Sequence, residues 1–372
     1  RAIRDVYKRQ VVGSTLFMTL IGGSIIAALG VFFAPHILLA LGTDPSVLHL
    51  SLPYARCMLA GSPLLFVYII YTSILRGVGD SITPLVALSL TSLIGLVITP
   101  VLIAGYFGFP KLGIIAPAIA TITGNALVIL FLIIYLNKKN HPLKPDLALL
   151  KHIRYDAELT RLILRLGIPT GIQMVTTSVA GLVVVGLVNR FGAHATAAYG
   201  AVNQVLNYIQ FPALSIAIAA SIFGAQAIGM GKSDLLARVT RTALWMNIII
   251  TGTLVILAYL FSKYLMALFI TDDSVVQLGQ QLLFIVLWSI LFFGASAIFA
   301  SIMRSSGAVT MPMLINIAAI LCIEVPCAYW FSSLWGLKGI WYAYALAFVS
   351  LCILQAGYYQ FFWKKKAIKA LI

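Results

Sequence analysis

The sequence predicts an all-α polytopic membrane protein built from two homologous helical bundles: one lobe of six helices, and four helices of a second. Three observations carry this. The 372 residues are 61% hydrophobic and only 9% charged, with a mean hydropathy of +1.03, far from a soluble composition. Ten apolar stretches are each long enough to cross a bilayer as a helix, for which about 20 residues suffice. Finally, the chain repeats itself at a constant offset of 228 residues: Thr43, Asp44, Ser46 and Val47 recur as Thr271, Asp272, Ser274 and Val275. Within the same register, Ser73, Ile74, Arg76, Gly79 and Pro84 recur as Ser301, Ile302, Arg304, Gly307 and Pro312.

The elements follow in order. Residues 1–10, RAIRDVYKRQ, are polar with no apolar core of a signal segment, and are read as a non-native or disordered start. Spans are predicted over 13–40, 52–75, 84–106 and 113–136, which make the N-lobe at 11–136. Residues 137–160, NKKNHPLKPDLALLKHIRYDAELT, are the one long polar connection and form a linker. The C-lobe, 161–372, holds spans over 161–189, 197–228, 239–268, 278–302, 312–333 and 339–362. Stretches longer than a bilayer is thick must tilt, bend or extend beyond it. At the repeat offset residue 1 answers to residue 229, so spans 161–189 and 197–228 have no partner in the N-lobe. The register therefore predicts an N-terminally truncated chain, a fragment lacking two helices, with a natural asymmetric lobe as the alternative. An even number of spans per complete lobe gives both lobes one orientation around a central site.

A net charge of +15 in a soluble protein would suggest nucleic acid; here its distribution speaks for topology. If the first span starts in the cytoplasm, the inward ends hold 20 of the 25 Lys and Arg, and the outward ends only Arg56, Lys111, Arg190, Lys263 and Lys338. The positive-inside rule then places the linker and the C-terminus in the cytoplasm. The partner implied is the lipid bilayer, with no nucleic acid. Cys57, Cys322, Cys327 and Cys352 all lie in apolar spans without CxxC spacing and read as small hydrophobes. The five histidines are scattered and show no metal-ligand spacing, and no P-loop, GxSxG or paired acids occur. No metal, no cofactor and no catalytic residue is expected, and the chain is not read as an enzyme.

The R-G-x-G-D-x-x-x-P element from Arg76 to Pro84, with its degenerate echo in the second lobe, resembles the multidrug and toxic compound extrusion (MATE) family. So do GIPTGIQM, VNRFGAHATAAYGAVNQV and FPALSIAIAASIFGAQAIGMGK within 167–232, which look like that family's seventh and eighth helices. The resemblance covers nearly the whole chain from about residue 11. It implies a twelve-helix antiporter of the bacterial inner membrane, a monomer, that exports small organic cations against H⁺ or Na⁺. Related flippases of lipid-linked oligosaccharides share the architecture, so a flippase or exporter of another metabolite is the alternative. Some members carry a coupling acid on the first helix of the C-lobe, where this chain offers Gln173, Thr176 and Thr177 instead.

Of ten acids, Glu324 alone falls inside an apolar span, AAILCIEVPCAYWF. A charge at bilayer depth costs about 2.5–3.5 kcal/mol or more, so such a residue usually faces a cavity and acts on ions. Glu324 is thus the candidate ion-coupling residue; the alternative is a neutral carboxyl that locks two helices together by hydrogen bonding. Pro326 offers no N–H, which leaves the Cys322 carbonyl without its helical partner and open to a cation. Tyr199, Asn203 and Asn207 recur every four residues and Gln210 follows at i+3, so the four share a helix face. That stripe, a patch of Gln173, Thr176 and Thr177 near Pro169, and Asn316 two turns before Glu324 would suit the polar wall of an apolar cavity. The alternative is interhelical hydrogen bonding, worth about 0.6 kcal/mol per contact. Arg76, Gly77, Gly79, Asp80 and Arg304 form the repeated loop elements: a gate or hinge with Asp80 pairing across the loop, or an ordinary basic turn anchor. Arg56 is expected to snorkel, and Trp330, Trp335, Trp341 and Tyr342 to form an interfacial belt.

Two classes compete. A carrier predicts two similar lobes, few charges and polar residues on mid-span faces. A membrane enzyme predicts clustered acids or histidines and a sizeable soluble loop, and neither occurs. A channel would need a ring-forming filter, which is absent. The reading is alternating access, in which two lobes rock around an amphipathic cation while Glu324 exchanges the coupling ion.

Overall fold

The computed structural model describes residues 2–40, 45–141, 143–145, 149, 153, 155–232 and 234–365, with side chains for all of these except 2–8, 40, 45, 46 and 107. Among them it is all helical: α1 Ala2–Ala40, α2 Pro45–Ala60, α3 Ser62–Gly77, α4 Ile82–Ala104, α5 Ala116–Lys138, α6 Ala157–Asn189 and α7 Ala193–Gly229. There follow α8 Leu235–Leu260, α9 Ser262–Ala267, α10 Asp273–Val286, α11 Ile290–Ser305, α12 Thr310–Ala319, α13 Val325–Trp335 and α14 Leu337–Tyr358. Among the described residues nine helical segments are long and apolar enough to cross a membrane, and ten if the bent α2–α3 pair counts as one span. The chain divides into two compact units, residues 1–164 and 165–372.

The span predicted over 52–75 is a pair of helices, α2 and α3, bent by 45°. The cause is local. Pro63 has no N–H to offer the Leu59 carbonyl, and the Ser62 hydroxyl donates to that carbonyl in its place at 2.7 Å. At Gly61 a Cβ would stand 2.4 Å from Ile122 Cγ1, so only glycine lets α5 approach here. In the second unit the corresponding span is interrupted near the matching register by a 3₁₀ turn, Leu287–Ser289, between α10 and α11.

The repeated motif proves to be helix punctuation. Asp272 is the N-cap of α10, and its carboxylate accepts from the Ser274 and Val275 N–H groups; its repeat mate Asp44 lies outside the described residues. At the other end, Gly79 and Gly307 both take left-handed backbone, with φ of 95° and 80°. Behind them the Asp80 N–H reaches Leu75 O at 3.0 Å and the Ala308 N–H reaches Met303 O at 3.2 Å. This six-to-one bond closes a Schellman turn in both units. Gly77 is different: it is helical, and a Cβ there would meet nothing within 4 Å. Gly79→Ala and Gly307→Ala are each expected to destabilise by about 1–2 kcal/mol, the cost of left-handed backbone for a residue with a Cβ. Gly77→Ala should be neutral or stabilising by up to about 1 kcal/mol. Thermal unfolding in detergent orders the three.

In the first unit α1 packs against α2 and α3, and α4 against α5. Its core runs from Leu16 through Tyr68, Leu75 and Val128 to Leu136. In the second unit α7 packs against α8, α10 and α11, while α14 lies against α11 and α13. Two clusters fill it. One is built on Val202, Leu283, Ile290 and Trp341, and the other on Ile298, Met303, Tyr359 and Trp363.

Candidate functional site

Glu324 sits where the span from Thr310 to Trp335 loses its regular turn. Residues Ile320–Glu324 form a π-turn in which the Val325 N–H goes to Ile320 O, and α13 then begins at Val325 with Pro326 in its first turn. Inserting a wider turn is how a helix accommodates a proline without a donor, and such turns recur at functional sites. The π-turn also sets Glu324 back around the axis toward the Asn316 side, so the two residues share a face of the span more closely than regular α-helical spacing would give. Asn316 Oδ1 is buried with no hydrogen-bond partner among the described residues. Glu324 is half-buried, and among the described residues no lysine, arginine or histidine lies within ion-pair distance of it.

Two tyrosines complete the surroundings. The Tyr199 hydroxyl on α7 and the Tyr344 hydroxyl on α14 are 3.0 Å apart, and both interact electrostatically with Glu324. Trp341 lies against both rings, its centroid 5.3 Å from Tyr199 and 5.6 Å from Tyr344. This corrects the expected belt: Trp330, Trp335 and Tyr342 are exposed, whereas Trp341 is 0% exposed and belongs to the core. The belt was inferred from residue type and span position, and neither reveals which face of α14 turns inward. Tyr344 was missed for the same reason.

The other stripe residues are less drawn together. Tyr199 is buried, Asn203 and Gln210 are half-buried, and Asn207 is exposed. The Asn203 amide donates to the Tyr199 carbonyl one turn back at 3.1 Å. On α6 the Thr176 and Thr177 hydroxyls likewise donate to their own helix, at Ile172 O and Gln173 O. Gln173 has a distant partner: its Oε1 accepts from Arg304 Nη2 at 2.9 Å. Arg304 therefore lies in the last turn of α11 and is tied to α6, while its repeat mate Arg76 donates locally to Ser73 Oγ at 2.8 Å.

Asp80 pairs with neither arginine. Its carboxylate accepts from the Thr83 N–H at 3.0 Å and the Thr83 hydroxyl at 2.6 Å, holding the first turn of α4. His141 Nε2 lies 3.9 Å from Asp80 Oδ2, and its Nδ1 accepts from the Leu143 N–H at 3.2 Å. Burial pushes the Asp80 carboxyl up, but the Thr83 hydrogen bonds and His141 outweigh it, and the group titrates below its ordinary 3.8. Burial pulls His141 below its ordinary 6.5; Asp80 opposes this and Lys139 adds to it. Both groups bind protons more readily in the unfolded chain, so each contributes stability above its ordinary value that is lost as pH falls through its lowered one. Of the two, only His141 comes into range between pH 7.5 and 5.5, and protonation of Nδ1 removes the acceptor of the Leu143 N–H. The unfolding temperature of the parent is expected to fall relative to that of His141→Gln over that interval. An equal fall in both proteins would remove His141 from the pH dependence.

A scan against family models matches the MatE model over residues 7–101 and 169–330. A relative from Bacillus subtilis, the probable multidrug resistance protein YoeA, is 44% identical over 366 residues, covering 98% of this chain and 79% of its own length. The probable multidrug resistance protein NorM of Thermotoga maritima is 24% identical over 337 residues, with 90% of this chain and 71% of the relative covered. Among solved structures, a mutant of the Vibrio cholerae MATE transporter VcmN superimposes with a TM-score of 0.88 at 18% identity, over 97% of this chain and 80% of that one. Another, described as the outward-facing conformation of a multidrug resistance MATE family transporter, gives 0.86 at 20% identity, over 94% and 78%. At these identities the structures speak for the fold alone.

Proposed function

Because the chain belongs to the MatE family, we propose that it is a secondary active multidrug efflux transporter that exports amphipathic organic cations by antiport with H⁺ or Na⁺. It is a multi-pass protein of the bacterial cytoplasmic membrane and not an enzyme. The observation that carries the reading is the match of both halves to one transporter family, together with a single relative aligned along nearly the entire chain. We place the C-terminus in the cytoplasm on the asymmetry of Lys and Arg, take residues 11–136 and 161–372 as the two lobes joined by a cytoplasmic linker, and take the working unit as a monomer.

Glu324 is the group proposed to exchange the coupling ion. Among the described residues the Glu324 carboxyl has no ion-pair partner and Asn316 Oδ1, earlier on the same span, has no hydrogen-bond partner, so two acceptors stand unsatisfied there. A bound proton or metal cation supplies what such a site lacks. The polar residues Tyr199, Asn203, Asn207 and Gln210, with Gln173, Thr176 and Thr177, are proposed to line the substrate path, and the Arg76 and Arg304 turns to act at its inner end. The test is reconstitution of the chain in proteoliposomes with a cationic dye, under an imposed proton gradient, an imposed sodium gradient, or neither. Faster dye movement under one gradient is expected; equal rates under all three conditions would overturn antiport.

A further inference from the structure

The second unit carries a groove between α10 and α14 that the transport reading does not use. It has a volume of about 500 Å³ and is lined by Gln277, Gln280, Gln281, Phe284, Ile285, Lys338 and Tyr342. The lining is graded. Lys338 stands in the first turn of α14 and Gln277 at the start of the second turn of α10, with Gln280 and Gln281 one turn deeper and Phe284 and Ile285 a further turn in. Polar groups therefore give way to apolar ones along the direction in which α10 and α14 enter the membrane. Gln280 is already committed, since its Nε2 donates to Ser262 Oγ at 2.8 Å. Among the described residues Lys338, Gln277 and Gln281 have no hydrogen-bond or ion-pair partner.

The position explains the grading. α14 starts at Leu337 and its far end leads to Lys364 and Lys365, so the groove lies at the end of the unit opposite the basic C-terminus. Tyr342 packs edge-on against Trp335, with centroids 5.6 Å apart, and both side chains are exposed, as is Trp330 on α13. Exposed tryptophan and tyrosine side chains collect at the level of the lipid headgroups. Lys338 is also one of only five basic residues on this side of the chain, where the topology disfavours positive charge.

We infer that this groove binds the headgroup of an anionic phospholipid: Lys338 pairs with the phosphate, the Gln277 and Gln281 amides donate to phosphate or glycerol oxygens, and the acyl chain runs down over Phe284 and Ile285. A lysine beside a cleft of unpaired amides with an apolar floor complements a molecule that is anionic at one end and aliphatic at the other. The assignment to the outer leaflet rests on the orientation proposed above; the binding itself does not, and it is independent of transport.

Native mass spectrometry of the detergent-purified chain tests it, with phosphatidylglycerol and phosphatidylcholine of identical acyl chains, and with inorganic phosphate as a soluble anion. Lys338→Ala is expected to retain one phosphatidylglycerol fewer than the parent and to bind that lipid about fivefold more weakly. Lys338→Arg should retain it. The basic residues at the other end are unchanged in both variants and set the common background. Gln281→Leu, an exposed position that leaves the charge in place, should weaken the same lipid without touching the rest. Equal retention by Lys338→Ala and the parent would overturn the proposal. So would equal occupancy by phosphatidylcholine, or displacement of the lipid by millimolar phosphate, which would mark a soluble-anion site.

Discussion

Glu324→Gln is expected to reduce gradient-driven export to the leak rate of empty vesicles while leaving the protein at least as stable as the parent. The two halves of this expectation come from one cause. A carboxylate at bilayer depth costs about 2.5–3.5 kcal/mol, a factor of roughly 70–350 in equilibrium. Neither an ion pair nor a hydrogen bond to Glu324 offsets that among the described residues. A bound cation would, and its release on one side of the membrane and uptake on the other is what coupling consists of. Gln has the same shape and can both donate and accept, but it can neither lose a proton nor balance a metal ion. Asp keeps the charge one methylene shorter and should retain partial activity. Transport and thermal unfolding must be measured on the same preparations. Coupled export by Glu324→Gln at the parent rate would remove Glu324 from the mechanism. Loss of export together with a marked drop in unfolding temperature would instead assign Glu324 to holding helices together.

Spans, lobes and the repeat were legible because each is written in one dimension. Hydropathy over about 20 residues marks a crossing, and a fixed offset needs no folding to be seen. What the repeated residues do was less legible. Asp272 and Gly307 look like loop chemistry in sequence, yet the one caps α10 and the other supplies left-handed backbone behind α11. Such residues persist in a duplicated frame because each copy must start and stop its helices. The bend at Gly61 is not legible in the sequence because the approach of Ile122 that requires glycine comes from a helix 61 residues away. The bond from Arg304 to Gln173 joins residues 131 apart and has no repeat mate, since Arg76 turns to Ser73 instead. At the candidate site, spacing put Tyr199 on one face with Asn203, Asn207 and Gln210. Its partners Tyr344 and Trp341 depend on how α14 is rotated.

That rotation supplies the other large effect: Trp341→Ala is expected to destabilise the second unit by about 3 kcal/mol, and Trp341→Phe by much less. Trp341 is fully buried in the largest core cluster and touches both site tyrosines. The rotation is pinned by Gly339, two residues earlier, where a Cβ would stand 2.1 Å from Phe331 O on α13; α14 can approach only with this glycine facing that backbone. Removing the indole leaves a cavity that rigid neighbouring helices cannot close. In a bilayer the unfolded reference is itself surrounded by apolar lipid, so the transfer part of the usual cost is small and the cavity part remains. This is why the expected figure lies near the low end of the range for tryptophan. Phe fills most of the space and removes the indole N–H, which has no partner among the described residues. Discarding an unsatisfied buried donor recovers about 1–3 kcal/mol against the smaller void. If Trp341→Phe proved as damaging as Trp341→Ala, the N–H would have to be bonded to a ligand or water that matters to stability. If Trp341→Ala proved harmless, Trp341 would not be part of the core. Because Trp341 supports Tyr199 and Tyr344, the Ala variant should also lose export, while the Phe variant keeps the ring contacts and should keep it.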